Sequence, residues 1–329
     1  MELKSSNVQY IIETGYGLKI NEIEKLNLGF DVNTKVFKIS TIEQKHYFLK
    51  IRLKSFSESC INIPYWLSNN IGLKNVIDPI KTLDNKLYLM NSSSVFMLYP
   101  FINGNSGWDV TLTKEHFYKL GKFLYKLHST EIPEKYINNI YKDEYNYEYV
   151  KMVKEYIKKN EKIHNDPIII KFLEALEIYQ KEINEIINYL ENTVNEISLK
   201  NVCICHGDIH AGNLLISEND LFIVDWDTIV LAPKEKDLMY IGGGIGKKWS
   251  KDEDINYFYK GYGHKNEVDK KLIKYYRSKR IIQDIYYFIK EIFDLNYDNE
   301  RRNGCLGIFK SFFEPYNVVE MALKEMEII

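Results

Sequence analysis

The 329-residue sequence has few cysteines, no long apolar run and no excess of positive charge. Its four cysteines form neither a dense disulfide framework nor a CxxC metal pair, and Cys203 and Cys205 alternate along an expected strand as buried thiols. No apolar run approaches the ~18 residues of a membrane span, and the amino terminus lacks the apolar core of a signal peptide. We therefore expect a cytoplasmic protein without a membrane partner.

Positive charge is balanced by negative charge. The sequence contains 44 Lys and Arg against 46 Asp and Glu, a formal net charge of -2. Nucleic-acid binding normally needs a broad positive field, so we expect no nucleic-acid partner.

The hydrophobic fraction of 45% is ordinary for a folded protein. Because domains usually hold roughly 100–200 residues, we expect two lobes. We also expect a monomer or a weak dimer.

The first hundred residues have strand-type patterns. Short β-branched or aromatic runs occur at residues 35–39, 47–51, 86–89 and 95–99. A helix is expected near residues 57–70, where Pro64 would limit or shift it. These patterns predict a small antiparallel sheet with one helix. We place the boundary after the last strand, which gives an amino-terminal lobe of residues 1–101 and a carboxy-terminal lobe of residues 102–329.

From Thr113 onward the pattern becomes helical. Phe117, Leu120 and Leu124 recur at three- and four-residue spacing, and similar periodicity covers residues 146–159, 168–196 and 268–293. One short β segment, at residues 202–224, interrupts these helices. The expected fold class is therefore α+β, with a mainly helical second lobe.

The chemically informative segment is residues 206–227. Residues 214–217 and 221–224 read as two short strands joined by turn-forming residues. A hairpin centred on Asn219 would place Asn213 and Asp225 opposite each other at its open end. Asp208 lies in the loop that leads into the first strand, so three oxygen-bearing side chains are expected close together.

These three side chains suit phosphoryl transfer. Asn213 and Asp225 offer oxygens to Mg²⁺, which keeps waters and phosphate oxygens as its remaining ligands. Asp208 would accept, or orient by a hydrogen bond, the proton of the attacking hydroxyl. An Asp followed five residues later by an Asn is common, but His206 before it and Asp225-Trp226-Asp227 after it make the combination specific. The segment therefore predicts a kinase that uses Mg-ATP.

The run from His206 to Asn213, HGDIHAGN, followed by Asp225-Trp226-Asp227, resembles the signature of the aminoglycoside phosphotransferase and choline kinase superfamily. The resemblance implies a protein-kinase-like bilobal fold and extends from the strand around Lys50 nearly to the carboxy terminus. Residues 231–244 and 258–263 are most similar to members that phosphorylate spectinomycin-like aminocyclitol antibiotics. That similarity implies a cationic small-molecule acceptor and a role in antibiotic resistance.

The resemblance also implies a nucleotide site. Lys50 matches the strand lysine that contacts the α- and β-phosphates, and Glu58, the first carboxylate after that strand, is its expected acidic partner. Without a functional role, Lys50 could simply be an exposed lysine on a strand. Glu58 could be an acidic residue that the helix dipole favours at the start of a helix. Residues 28–34 take the place of the nucleotide-covering loop. The main chain of the hinge would bind adenine through Tyr99, Pro100, Phe101 and Ile102.

Further roles follow from the same resemblance. His206 and Asp237 would support the catalytic loop, although a first-turn acid such as Asp237 is also favoured simply by the helix dipole. Apart from the resemblance, Asp208, Asp227 and Trp249 are candidates for contact with the acceptor. A cationic acceptor could be surrounded by acidic side chains. The candidates are Asp227, Glu235, Asp252, Glu253 and Asp254.

Two alternatives stay open at this point. One is a metabolic kinase acting on choline, homoserine, methylthioribose or a sugar. The other is a catalytically idle kinase-like binding protein, which the joint presence of Asp208, Asn213 and Asp225 argues against. A protein substrate is disfavoured because the few residues between Asp225 and Pro233 leave no long activation segment to dock a peptide.

Overall fold

A computed structural model describes residues 5–26, 28, 33–53, 56–92, 94–159, 165–197, 201–218, 220–244, 248–263 and 267–324. The chain divides into two compact units. The first comprises Met1–Leu112, Thr130–Tyr141 and Ala211–Ile229, and the second comprises Thr113–Ser129, Lys142–His210 and Val230–Ile329. The segment with Asn213 and Asp225 therefore belongs to the first unit, whereas Asp208 belongs to the second.

A five-stranded antiparallel sheet forms the base of the first unit. Its strands are β1 (Ile20–Leu26), β2 (Thr34–Thr41), β3 (His46–Arg52), β4 (Leu89–Asn91) and β5 (Ser94–Pro100). They are arranged in the order β1-β2-β3-β5-β4. Ile39 and Leu49 of this sheet pack with Ile12 of helix α1 (Ser5–Tyr16) in one buried cluster.

The sequence predictions agree with β2, β3, β5 and helix α2 (Ser59–Asn69). Pro64 lies inside α2 and does not end it. The strand expected at residues 86–89 instead begins at Leu89 and ends at Asn91, since pairing with β5 runs from Leu89 opposite Phe96 to Asn91 opposite Ser94. Residues 29–32 of the expected nucleotide-covering loop and Asn219 at the expected hairpin centre lie outside the described residues.

The rest of the first unit holds the hairpin that carries the expected metal ligands. It contains β6 (Asn105–Ser106), α4 (Glu134–Ile137), β9 (Leu214–Ser217), β10 (Asp220–Ile223) and two 3₁₀ turns at Ala211–Asn213 and Trp226–Thr228. β9 pairs with β10 on one side and β6 on the other. The Nδ2 amide of Asn75 donates to Leu221 O at 2.6 Å, which fixes the hairpin within the unit.

Helices dominate the second unit, as the sequence predicts. They are α3 (Lys114–His128), α5 (Glu148–Lys159), α6 (Pro167–Ile178), α7 (Gln180–Thr193), α8 (Glu235–Leu238), α9 (Asp252–Tyr262), α10 (Lys270–Phe293), α11 (Asn299–Ser311) and α12 (Val318–Lys324). The helix expected over residues 168–196 is two helices, broken at Tyr179. Strands β8 (Val202–Cys205) and β11 (Val230–Pro233) pair antiparallel, and β7 (Tyr141–Lys142) spans a boundary between the units.

Two features of the second unit fix α3. Thr113 caps it, because its side chain accepts the N–H of His116 while the His116 ring accepts the N–H of Thr113. α9 then packs closely against α3, since a Cβ at Gly121 would lie 2.2 Å from Phe258 O and one at Gly261 would lie 2.1 Å from Tyr118 O. Larger residues would force the two helices apart. In the described part of the chain, we find no helix with both the length and the hydropathy of a membrane span.

Candidate active site

The base of the hairpin brings Asn213 and Asp225 together. The N–H of Val224 donates to Asn213 O at 3.0 Å, and β9 pairs with β10 so that Leu214 is opposite Ile223. Asn213 therefore lies opposite Val224. The sequence predicted that it would lie opposite Asp225, which is the next residue along the chain. The difference arises because the register pairs Ser217 with Asp220, so the turn holds two residues where three were expected. Both oxygen ligands still flank one end of the hairpin.

Asp225 has a left-handed backbone conformation. Its φ is 63° and its ψ is 65°, a region that Asp tolerates better than most residues. This residue lies between the end of β10 and the 3₁₀ turn that carries Asp227. Strained backbone of this kind persists where surrounding structure fixes it, and it often marks functional sites. The side chain of Asp225 is 50% exposed, which leaves its carboxylate accessible to a ligand.

Lys50 connects the sheet to this turn. Its Nζ lies 2.8 Å from Oδ1 of Asp225 and 2.9 Å from Oδ2 of Asp227. Burial opposes the charge of the ammonium group, but the two carboxylates outweigh it and raise the pKa of Lys50. Lys50 is therefore a permanent cation beside the hairpin.

Two expectations about neighbouring acids are wrong in this structure. Asp227 also accepts from Arg52, so Lys50 and Arg52 neutralise the carboxylate that was expected to attract a cationic acceptor. Glu58 does not pair with Lys50. It accepts the hydroxyl of Tyr88 at the start of α2, while Lys50 is held by the two aspartates that the hairpin presents.

The expected hinge is the end of β5. Phe101 donates its N–H to His46 O at 3.2 Å and so continues the pairing with β3. The carbonyl of Pro100 belongs to the same peptide group as this N–H and therefore points away from β3. The side chain of Tyr99 packs against Ile61 and Met97. The hinge thus offers a main-chain acceptor on its outer side.

Asp237 anchors the loop that carries Asp208. It is fully buried and accepts the N–H of His206 through Oδ2 and the N–H of Gly207 through Oδ1, both at 2.8 Å. Gly207 has a φ of 84°, a conformation that favours glycine. The Nδ1 atom of His206 accepts the N–H of Asp208 at 3.3 Å. These hydrogen bonds connect both side chains to the main chain of the loop.

A histidine that sequence reasoning missed completes this anchor. His128, at the end of α3, has Nε2 3.1 Å from Oδ2 of Asp237 and Nδ1 3.0 Å from the hydroxyl of Tyr262. Burial opposes its charged form, but the bond to Asp237 outweighs it and raises the pKa of His128. The close packing of α3 and α9 places this ring.

His128 also belongs to a cluster with metal-ligand atoms. Among the described residues, the donor atoms of His128, Cys203 and Cys205 lie within 4.8 Å of one another. Both nitrogens of His128 already have partners, and the thiol of Cys205 donates to the carbonyl oxygens of Ala232 and Pro233. Burial raises the pKa of Cys205, which disfavours a thiolate ligand. The cluster is therefore a structural hydrogen-bond network.

Asp208 lies in a group of charged and polar side chains from α10 and the segment after α8. Its Oδ1 accepts from Nη1 of Arg280 at 2.6 Å and from the hydroxyl of Tyr240 at 2.9 Å. Its Oδ2 lies 3.6 Å from Nε2 of His210. Arg280 in turn donates Nε to both oxygens of Asp284, at 2.9 and 3.0 Å. The sequence does not reveal Arg280 and Tyr240, because they lie 72 and 32 residues from Asp208 in the chain.

The charges in this group keep Asp208 ionised. Burial opposes a negative charge, but Arg280 and then His210 outweigh it and hold the pKa of Asp208 well below its ordinary value. Burial raises the pKa of Asp284, although Arg280 opposes the shift. A carboxylate with a strongly lowered pKa is a weak base. Asp208 is therefore better suited to orient a hydroxyl than to remove its proton early.

Other residues expected to contact an acceptor have different roles. Trp249 is 5% exposed and packs edge-on against Phe117, so in this structure it is a core residue, which contradicts the expectation. Glu235 is buried and accepts the N–H of Asp269. Glu253 pairs with Lys114 at the surface. The contacts of Glu235 and Glu253 therefore do not support the prediction that these acidic side chains surround a cationic acceptor.

Comparison with known proteins identifies the class. Residues 36–269 match the model of the phosphotransferase enzyme family APH, which is most of the chain. The chain belongs to this family. It has the kinase-like fold of that family and is an ATP-dependent phosphotransferase.

A particular relative is closely similar. Spectinomycin phosphotransferase APH(9)-Ia, solved as a crystal structure in complex with ADP and spectinomycin, superposes with a TM-score of 0.92 at 31% identity, covering 99% of this chain and 100% of that one. The AMP-bound complex of the same enzyme gives a TM-score of 0.88 at 31% identity, covering 98% and 99% of the two chains. An aminoglycoside phosphotransferase from Alicyclobacillus acidocaldarius, at 12% identity and a TM-score of 0.64, covering 100% and 98%, shares the fold.

Proposed function

We propose that this protein transfers the γ-phosphoryl group of Mg-ATP to a hydroxyl of a spectinomycin-like aminocyclitol antibiotic, and that it thereby confers resistance in the cytoplasm. The observation that carries the proposal is the 31% identity over 99% of the chain with an enzyme crystallised with ADP and spectinomycin. That similarity extends over both units of the chain. The site residues described above supply the chemistry.

The first unit supplies groups for the nucleotide. Lys50 offers an ammonium group that is already held between two carboxylates, and it would bind the α- and β-phosphates. The carbonyl of Pro100 and the N–H of Ile102 would form the two hydrogen bonds to adenine. Glu58, bonded to Tyr88, would stabilise the start of α2 and would not touch the nucleotide.

The donor set at the hairpin base fits Mg²⁺. Asn213 contributes a neutral amide oxygen and Asp225 a carboxylate, which are hard oxygen ligands of the kind that Mg²⁺ takes from proteins. When bound there, the ion neutralises charge on the phosphate oxygens. The carboxylate of Asp225 is half-exposed, and Lys50 lies against one of its oxygens.

Asp208 would orient the acceptor. As the acceptor oxygen forms its bond to the γ-phosphorus, the bond from that phosphorus to the ADP oxygen breaks, and the hydroxyl proton passes to Asp208 and then to solvent. Because the pKa of Asp208 is strongly lowered, this proton transfer would come late, when the hydroxyl has become acidic. His206 and Asp237 would keep the loop in place.

The charge around Asp208 supports a cationic acceptor. Asp208 and Asp284 both bond the guanidinium of Arg280, so two carboxyl groups lie around one cation. Carboxylates in a partly dry site attract ammonium groups. We propose that this pair faces an amine of the acceptor, in place of the acidic residues expected from the sequence.

A screen of ATP consumption tests the proposal. Purified protein with Mg-ATP is incubated with spectinomycin, other aminoglycosides, choline, homoserine, methylthioribose and simple sugars, and ADP is measured. We expect spectinomycin to give the highest kcat/KM. Asp208→Asn should lose roughly 10²- to 10⁴-fold, whereas Asp84→Asn, in an exposed turn, should not change it. A response to a metabolite alone would support the metabolic alternative and contradict the resistance role.

A further inference from the structure

The two oxygens of Asp208 have different surroundings. Oδ1 accepts two hydrogen bonds, from Nη1 of Arg280 at 2.6 Å and from the hydroxyl of Tyr240 at 2.9 Å. Oδ2 is turned to His210, with 3.6 Å between it and Nε2 of that ring. Because a carboxylate held by two donors on one oxygen cannot rotate freely, the direction of Oδ2 is fixed by the contacts of Oδ1.

Arg280 is itself held in place. Its Nε donates to both oxygens of Asp284 one helical turn further along α10, and its Nη1 also donates to the hydroxyl of Tyr240 at 3.0 Å. The Tyr240 hydroxyl thus accepts from Arg280 and donates to Asp208, which closes a three-membered ring of hydrogen bonds. The planar, rigid guanidinium suits this arrangement better than a lysine would.

We propose that Arg280 is a positioning residue for phosphoryl transfer, which holds Oδ1 of Asp208 so that Oδ2 receives the acceptor hydroxyl. The role rests on the proposed function of Asp208. Arg280 acts through Asp208 and bonds neither the acceptor nor the nucleotide. Tyr240 assists by the second bond to Oδ1, and Asp284 fixes the guanidinium from the other side.

The same contacts imply a pH effect. The groups that face Asp208 are Arg280 and Asp284 of α10, Tyr240 after α8, and His210 of its own loop. Removing the guanidinium leaves Asp208 next to a second carboxylate, and both the lost attraction and the new repulsion raise the pKa of Asp208. As the pH is lowered, Asp208 should therefore become protonated at a higher pH in a variant without Arg280 than in the wild type.

The first experiment measures the titration of Asp208 directly. The ¹³Cγ shift of Asp208, assigned by its absence in Asp208→Asn, is followed against pH in the wild type, Arg280→Met and Arg301→Met. Arg301 is the matched control, because it also bonds a carboxylate, that of Glu291, on a helix of the same unit. We expect Arg280→Met to raise the pKa of Asp208 by about 1–3 pH units and Arg301→Met to leave it unchanged.

The second experiment separates positioning from folding. With spectinomycin as acceptor, Arg280→Met should lower kcat about 10- to 100-fold with a smaller change in the KM for ATP, and Arg280→Lys should recover part of it. An unchanged kcat at pH 7.5 would overturn the positioning role even if the pKa moved. If Arg280→Met does not fold, Arg280→Lys decides on the same readouts, with a smaller loss expected.

The two proposals fail separately. The titration needs no acceptor, so an unchanged pKa of Asp208 in the Arg280 variants overturns the inference whatever the acceptor is. If the wild type does not phosphorylate spectinomycin, the proposed function fails, and the role of Arg280 is then decided by the titration together with kcat for the acceptor that the wild type does phosphorylate.

Discussion

The ammonium of Lys50 lies 2.8 Å from Oδ1 of Asp225, although 175 residues separate them in the sequence. The same nitrogen is 2.9 Å from Asp227, so one cation joins the central sheet to both carboxylates of the Asp225-Trp226-Asp227 motif. The expected phosphate-binding group and an expected metal ligand are thus in direct contact within one unit.

Replacement of Lys50 by Met tests its role toward the nucleotide. Met keeps the apolar stem and removes the charge, so Asp225 and Asp227 lose their shared cation. We expect kcat/KM for ATP to fall by about 10²- to 10³-fold, the loss typical of one charge-stabilising donor. Steady-state kinetics with ATP varied at saturating acceptor provides the measurement. Lys25→Met, at an exposed position of β1, should behave as wild type, and equal losses in both variants would contradict the assignment.

Asp225→Asn tests the metal site. Asn also tolerates the left-handed backbone, so the fold should be retained while the charged ligand is lost. We expect the Mg²⁺ concentration for half-maximal activity to rise and kcat to fall, whereas a chelator abolishes activity of the wild type. Mg²⁺ titrations at fixed ATP measure both effects. Asn213→Ala should change the Mg²⁺ dependence in the same direction, and an unaltered dependence in both variants would exclude this site.

Asp237→Asn is expected to destabilise the protein. The carboxylate accepts two buried main-chain N–H groups, and an amide has only one oxygen to offer them. One N–H is left facing an NH₂ donor, which costs about 1–3 kcal/mol of unfolding free energy. Urea denaturation measures the difference, with Asp84→Asn as the exposed control. A loss no larger than that of the control would show that the loop is anchored elsewhere.

The bond between His128 and Asp237 predicts a dependence of stability on pH. Because the pKa of His128 is raised in the folded state, its contribution is present in full below the unfolded pKa of about 6.5 and is lost as pH rises through the folded pKa. The wild type should therefore exceed His128→Gln in unfolding free energy by more near pH 6 than near pH 9. Denaturation at several pH values measures this difference. A gap that widens with pH would contradict the raised pKa.

Much of the first unit could be predicted from local patterns. β2 and β3 alternate buried and less buried residues, and β5 has four consecutive buried ones, so all three strands have strong apolar patterns. β1 has no such signal, since six of its seven residues are exposed or partly exposed. Helix α1 buries Val8, Ile12 and Tyr16 at a spacing of four residues, a periodicity that could have revealed it.

The contiguous motif proposes site residues most directly. Asp208, Asn213 and Asp225 can be proposed from their spacing and the hairpin, although the register differs by one position from the expected one. Lys50 could be proposed only from the family resemblance, and Tyr240 and Arg280 come from distant segments that no motif marks. No local pattern distinguishes an arginine that holds a carboxylate from one on a solvated helix face, so tertiary structure was needed. The prediction for Glu58 was wrong because its position after β3 does not show which side chain it meets, and in the structure that side chain is Tyr88.

The central claim is that this protein forms a phosphate ester on an aminocyclitol by means of Asp208. ³¹P NMR of a reaction with Mg-ATP and spectinomycin tests it most directly, because it detects the product itself. We predict a phosphomonoester resonance that grows with ADP in the wild type and is lost in Asp208→Asn. ADP formed together with inorganic phosphate alone, or an equal phosphomonoester yield from Asp208→Asn, would contradict the account.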